Sequence, residues 1–177
     1  MRLILLRHEE RGEDIGFYSN LTEEGINRSY KLPDRLKLLN IDIIFSSPFI
    51  RTLQTIYPYG GTVNIEYGLY EYMHHKYFSE NRWYYTIDDV NDEDLSGIIN
   101  RDYKSVVSKD DFIILEDEEN LEKRVGKFLN YLKDNYKDKT VLLVTHKAIV
   151  NKIKDLYLEK TPLSNDFEMG QIECIDI

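Results

Sequence analysis

Leu3 to Leu6 is an unbroken apolar run that stops abruptly at Arg7 and His8. A short run without polar alternation marks a strand buried on both faces, the pattern of a parallel sheet covered by helices. Thr140 to Thr145 (TVLLVT) repeats that pattern and stops at His146. Ile41 to Phe45 predicts another strand, Val63 to Glu66 a short one, and Gly170 to Ile177 a terminal strand with Ile172, Cys174, Ile175 and Ile177 as its apolar positions. Helical spacing fills the intervals. The clearest amphipathic helix runs from Glu118 to Tyr136, with Leu121, Val125, Phe128, Leu129 and Leu132 on one stripe. Ala148 to Leu158 predicts a second. After the polar loop Arg11 to Asn20, either Asn20 or Thr22 caps a helix that opens with Glu23 and Glu24, and Pro33 bends or breaks it. After IDIIF, Ser46 or Ser47 is the expected cap and Pro48 the first turn of a helix bearing Arg51. Strands alternating with helices predict an α/β fold, a three-layer α/β/α sandwich around a mainly parallel sheet.

Two stretches break this rhythm. From Tyr67 to Tyr85 the chain is dense in aromatics, including Tyr70, Tyr72, Tyr77, Phe78, Trp83 and Tyr84, and it heads an insertion at about 67–115. Such a cluster is either a satellite core under a long loop or a lid that stacks on an aryl or nucleobase substrate. The acidic run Asp88 to Asp94 departs from a calcium-loop pattern, because Asp94 stands where the loop glycine belongs, and a solvated loop is expected.

Composition narrows the field. A chain of 177 residues, 42% hydrophobic, supports one core, so a single domain over 1–177 is expected. A net charge of -9 argues against nonspecific nucleic-acid binding, which needs accumulated Lys and Arg. Cys174, the single cysteine, excludes an internal disulfide framework and is expected to be packed and inert. No apolar run approaches the ~18 residues of a membrane span and no cleavable leader pattern opens the chain, so a cytoplasmic protein without membrane contact is expected. Oligomeric state is open.

The chemistry gathers at strand ends: Arg7 and His8, then Ser46, Ser47 and Arg51, then Glu71, then His146. In an open α/β sheet the carboxyl ends of the strands face the ligand crevice, so these groups can converge. Two histidines, several arginines and one carboxylate describe phosphoryl transfer to an imidazole. Guanidinium groups neutralise the phosphate oxygens, a neutral His8 attacks in line, and a carboxylate protonates the leaving oxygen and later activates water. A carboxylate with both tasks is expected to have a raised pKa. His74 and His75 could join Glu71 as metal ligands, but adjacent histidines share no helix face, and exposed loop residues are expected instead. Ser46 and Ser47 lack a base in register and read as caps rather than nucleophiles.

In order and spacing, RHEER, LTEEG, IIFSSPFIRTLQT, the Glu of GLYEY and VTHKAIV resemble the signature blocks of the histidine phosphatase superfamily, the phosphoglycerate mutase-like fold. The likeness spans Arg2 to about Leu158. It implies His8 as the phosphorylated nucleophile, Arg7, Arg51 and His146 as the phosphate pocket, and Glu71 as proton donor, with Glu66 five residues earlier as the other candidate. The R-H-x-E-R motif is similar to the tyrosine-phosphatase domain of the suppressor of T-cell receptor signalling proteins and implies that Arg11 joins the pocket. No metal and no cofactor are implied.

Glycine usually follows each histidine in that family, whereas this chain has Glu9 and Lys147. A carboxylate about 5 Å from a phosphate would repel it by ~3 kcal/mol at an effective dielectric near 20. Either Glu9 and Lys147 pair beside the pocket, or both turn to solvent. The expected function is a metal-independent phosphomonoesterase acting through phosphohistidine on a phosphorylated small molecule or phosphoprotein, phosphotyrosine among the candidates. A mutase is less expected, since only one insertion is available to shield an intermediate from water. The competing reading is a catalytically silent member that binds phosphorylated ligands or a protein partner.

Overall fold

A computed structural model of the protein describes residues 1–74, 78, 86–108, 111, 115–157 and 167–177. The two apolar runs form the middle of the sheet. Strand β1 (Arg2–Arg7) lies parallel to β4 (Thr140–Thr145), pairing Arg2 with Thr140 through Arg7 with Thr145. Leu3, Ile4, Leu5 and Leu6, and Val141 to Val144 opposite them, are completely buried. Strand β2 (Ile43–Ser46) pairs with the other edge of β4, and β3 (Val63–Ile65) extends the sheet beyond it, both parallel. Strand β5 (Ile172–Asp176) closes the other side antiparallel to β1, giving the order β3-β2-β4-β1-β5. The result is the expected α/β sandwich with a mainly parallel sheet.

Helices α1 (Glu23–Ser29), α2 (Leu32–Leu36) and α3 (Ile50–Ile56) pack together, as do α5 (Glu118–Asn135) and α6 (Lys147–Tyr157). Thr22 caps α1 by accepting from the Gly25 N–H, and Pro33 falls in the first turn of α2, so the proline separates two helices rather than bending one. The α5 stripe read from the sequence, Leu121, Val125, Phe128, Leu129 and Leu132, is buried in the main core. No described helix is long and apolar enough to cross a membrane.

Three local expectations change. Helix α3 starts at Ile50 with Phe49 at its cap position and no side-chain cap, so Ser46, Ser47 and Pro48 lie before the helix. The acidic run is not wholly solvated loop. Asp92 caps α4 (Glu93–Gly97) by accepting from Leu95 N–H, with Glu93 and Asp94 in its first turn, where helix polarity favours negative charge. Cys174 is exposed, because on edge strand β5 it alternates with Ile175, which takes the buried side. Of the aromatic stretch, Tyr70 is buried and packs edge-on against Phe49 at 4.7 Å, while Tyr77, Trp83, Tyr84 and Tyr85 fall outside the described residues, as do His75 and Leu158.

Candidate active site

Because β1 and β4 are parallel and in register at their ends, the residues that follow them meet. His8 N–H bonds to the Thr145 carbonyl at 3.0 Å, and the His8 and His146 rings stand edge to face with centroids 5.4 Å apart. His8 Nδ1 lies 2.8 Å from the Glu9 carbonyl oxygen. A carbonyl only accepts, so Nδ1 carries the proton of the neutral ring and Nε2 keeps the lone pair. Burial drives the His8 pKa well below 6.5, and His146 and Arg51 push the same way. His8 is therefore a neutral imidazole with one nucleophilic nitrogen at ordinary pH.

Strand β2 and helix α3 bring in Arg51, whose side chain is fully buried. Its NH1 donates to the Gly16 carbonyl at 2.8 Å, so the loop after β1 holds the guanidinium in place. Its NH2 lies 3.2 Å from Glu71 Oε2 and 3.2 Å from His146 Nδ1, and its centre sits 4.4 Å above the Phe49 ring. Burial lowers the Arg51 pKa to about 10, which leaves it cationic. Glu71 Oε2 is also 3.2 Å from His146 Nδ1, and Oε1 accepts the Tyr72 N–H at 3.0 Å. Burial would raise the Glu71 pKa, but its contacts with His146 and Arg51 override it and hold the carboxyl below the usual carboxylate range. This reverses the raised value expected for a proton donor, because the carboxylate is itself bound to Arg51 and His146. For His146 burial wins over the pull of Glu71, and its pKa falls to about 4.

Arg7 and Arg11 complete the cationic wall. Arg7 NH1 donates to the Phe167 carbonyl at 2.6 Å, and Arg11 NH1 donates to the carbonyls of Gly12 and Asp14 at 2.7 and 3.1 Å. Among the described residues, the Nε–H groups of Arg7, Arg11 and Arg51 are buried and have no acceptor. Guanidinium donors of this kind are suited to receive an anion. Arg7 and Arg11 border a cleft of about 400 Å³, whose lining also includes Glu71, Tyr72, Phe78 and Lys147.

The sequence profile of the Histidine phosphatase superfamily (branch 1) matches residues 4–174, nearly the whole chain. The chain belongs to the histidine phosphatase superfamily. Solved structures of similar fold include the alpha-ribazole phosphatase from Shigella flexneri, with TM-score 0.70 and 21% identity over 100% of this chain and 91% of that one. Phosphoserine phosphatase from Entamoeba histolytica in complex with 3-phosphoglyceric acid has TM-score 0.65 and 22% identity over 98% of this chain and 89% of that one. The ecdysone phosphate phosphatase from Bombix mori in complex with tungstate has TM-score 0.63 and 15% identity over 96% and 83%. No curated protein sequence matches the chain.

Within this member of the superfamily, the two residues that replace glycine do not pair. Glu9 is buried beside Gly170, its Oε2 has no hydrogen-bond partner among the described residues, and the cations that act on its carboxyl are Arg28 and Arg35. Lys147 lines the cleft instead. The Glu9–Lys147 ion pair is thus absent, and the full exposure of Glu9 is absent too, because Glu9 leans toward the turn before β5.

Glu66 is equally distinct from Glu71. Its Oε1 accepts from Gly68 N–H and Ser105 hydroxyl at 2.8 Å each, and its Oε2 from Tyr103 hydroxyl at 2.6 Å and Val106 N–H at 2.9 Å. That carboxylate is buried and committed to folding the 103–107 loop, so Glu71 alone of the two reaches the histidines. Arg124 supports Glu71 from behind. It forks onto Glu116 and donates to the carbonyls of Gly68 and Tyr70, both at 3.0 Å, which fixes the chain leading into Glu71.

Sequence reasoning passed over Ser47, whose hydroxyl lies 2.9 Å from His146 Nε2. With Nδ1 facing Glu71, this contact fixes the second ring nitrogen as well. Its signal was its place at a strand end among the other polar residues, masked by the serine–proline pattern that reads as a cap.

Proposed function

We propose that the protein is a phosphomonoester hydrolase that forms a phosphohistidine on His8. The observation that carries this reading is His8 itself, neutral, with Nδ1–H held by a carbonyl, Nε2 left as nucleophile, and Arg51 close enough to act on its pKa. In this reading Arg7, Arg51 and His146 bind the phosphoryl oxygens, and Nε2 attacks phosphorus as the ester P–O bond breaks. The bound phosphate takes over the donors that hold Glu71 ionised and places negative charge beside it, so the Glu71 pKa rises on binding and the carboxyl can protonate the departing oxygen. Glu71, now ionised, then takes a proton from water as that water attacks phosphohistidine. The N–P bond breaks, its electron pair returns to Nε2, and inorganic phosphate leaves.

Arg11 supports the finer likeness to the tyrosine-phosphatase domain of the suppressor of T-cell receptor signalling proteins, since it lines the cleft with a buried unsatisfied Nε–H. The substrate class is a phosphorylated small molecule or phosphoprotein. The competing, catalytically silent reading rests on charge intrusion by Glu9 and Lys147; the Glu9 carboxyl lies against Gly170 and outside the cleft lining, whereas Lys147 does line the cleft, so that reading keeps one of its two grounds. The test is hydrolysis of phenyl phosphate in excess chelator by wild type and His8→Ala, with quenched samples assayed for acid-labile protein phosphate. Turnover and label that survive the chelator and vanish with His8 are expected. Turnover that persists in His8→Ala overturns the mechanism.

A further inference from the structure

The loop that follows β1 turns its backbone oxygens toward two arginines. Arg11 NH1 donates to the carbonyls of Gly12, Glu13 and Asp14 at 2.7, 3.3 and 3.1 Å, and Arg51 NH1 donates to those of Ile15 and Gly16 at 3.4 and 2.8 Å. Five consecutive carbonyls thus serve two guanidinium groups that come from different parts of the fold, one from the segment after β1 and one from α3. The two cations repel each other, and Arg11 is among the causes that lower the Arg51 pKa. A carbonyl oxygen is an acceptor only, so the loop offsets that repulsion and fixes where each guanidinium stands. Arg11 and Ile15 line the cleft, and Arg51 reaches Glu71 in its wall at 3.2 Å.

One side chain pins this array. Asp14 Oδ1 accepts the Gly16 N–H at 2.8 Å, closing the turn that a short carboxylate or amide side chain makes with the amide two residues on. The turn ends at the Gly16 carbonyl, which takes the shorter of the two Arg51 contacts, and the Asp14 carbonyl takes one from Arg11. The fit is close, since a Cβ on Gly16 would stand 3.2 Å from Asp14 Oδ1. The Asp14 carboxylate also pulls the Arg51 pKa upward, so it is near enough to repel an anion that Arg51 binds. Its charge works against phosphate while its turn works for it.

Building on the proposed phosphatase reading, we infer that Asp14 is a positioning residue of the phosphate pocket, acting through the turn that holds Arg11 and Arg51 and not through its charge.

Calorimetric Kd values for inorganic phosphate separate the two effects. Asp14→Asn keeps an oxygen for the Gly16 N–H and drops the charge, so it should bind phosphate as tightly as wild type or more tightly. Asp14→Ala has the same charge as Asp14→Asn but no turn, and it should bind about tenfold more weakly than Asp14→Asn, the low end for one hydrogen bond to a charged group. Asp14→Glu keeps the charge but sets its oxygens one methylene beyond the turn, and it should fall at least as far. With phenyl phosphate the Ala-to-Asn ratio should appear chiefly in KM. In an Arg11→Ala background that ratio should shrink, because one of the two arms is gone, and an undiminished ratio would overturn the route through both arginines. Equal binding by Asp14→Asn and Asp14→Ala overturns the inference, as does an Asp14→Glu variant that binds like wild type. Phosphate binding that depends on the turn, in a protein that hydrolyses no ester, would sink the phosphatase reading and keep the role of Asp14. Hydrolysis with equal binding by the Asn and Ala variants would do the reverse.

Discussion

Glu71→Gln and Glu66→Gln separate two carboxylates that the sequence places five residues apart. Glu71 touches His146 and Arg51, both at 3.2 Å, and its proposed work is to protonate the leaving oxygen. Loss of a general acid typically costs 10²–10⁴-fold, about 3–5 kcal/mol of barrier. That cost depends on the leaving group. An alkoxide needs the proton and 4-nitrophenolate does not, so Glu71→Gln should lose about 10²–10⁴ in kcat/KM on ethyl phosphate and about tenfold or less on 4-nitrophenyl phosphate. Glu66 instead receives hydrogen bonds on both oxygens from a loop some 40 residues on, with donor distances of 2.6 to 2.9 Å for Tyr103, Ser105 and Val106. An amide NH₂ in place of one oxygen sets donor against donor. With roughly 1.5–3 kcal/mol for each hydrogen bond to a charged group, Glu66→Gln should destabilise the fold by about 2–4 kcal/mol. Stopped-flow assay of phosphoenzyme formation on both esters, with urea unfolding of each variant, makes the comparison. A Glu71→Gln variant that loses both esters equally, or a stable Glu66→Gln variant with the leaving-group effect, would refute the assignment.

The His8 pKa is depressed, so the proposed nucleophile stays neutral well below pH 6.5, and in the proposed mechanism the proton needed at Glu71 arrives with the substrate, whose second ionisation lies near 6. The expected kcat/KM profile is therefore highest below about pH 6 and falls about tenfold per unit above it; a rise between pH 6 and 8 would contradict this. Burial raises the Glu9 pKa above 4.5 against the pull of Arg28 and Arg35, so its contribution to stability is greatest below 4.5 and is lost as pH rises through the folded value. Glu9→Gln should thus gain stability relative to wild type between pH 4 and 8, and urea midpoints with a pH-independent difference would count against it. Gly170 has φ +71° and a Cβ there would overlap the Glu9 carboxyl, so Gly170→Ala should cost about 2–4 kcal/mol, of which ~1–2 is the left-handed backbone. In a Glu9→Ala background only the backbone part should remain, and strict additivity of the two changes in unfolding free energy would refute the contact.

The strands were readable because burial on both faces writes itself into an unbroken apolar run, and their ends were readable because the run stops at charge. Register was not. His8 meets His146 because Arg7 pairs with Thr145, a relation between segments far apart in sequence that no local pattern encodes. The choice between Glu66 and Glu71 was hidden for the same reason, since it is decided by donors at 103–107 and by Arg124. Ser47 failed differently. A serine before Pro48 satisfies the local grammar of a helix cap, and tertiary contact with His146 overrode it.

Glu9 is the instructive miss, because a local rule was available. Opposite charges after the two histidines suggested a pair, yet in extended backbone successive side chains point to opposite faces. If His8 faces His146, then Glu9 must lean the other way, and it does, packing on Gly170 in the turn that leads into β5. Arg7 is long enough to reach the Phe167 carbonyl in the same segment with one donor while it still lines the cleft. The same turn is tied to the end of β1 by Gly170 N–H, which lies 3.2 and 3.1 Å from the Arg7 and His8 carbonyls. A side chain where glycine is usual therefore reaches this site without entering it. Glu9 bears on His8 through its own backbone carbonyl, the acceptor that sets the tautomer of the proposed nucleophile. A bulky residue at position 9 is then compatible with catalysis so long as residue 170 leaves room for it, and the two positions form one steric unit beside the phosphate pocket.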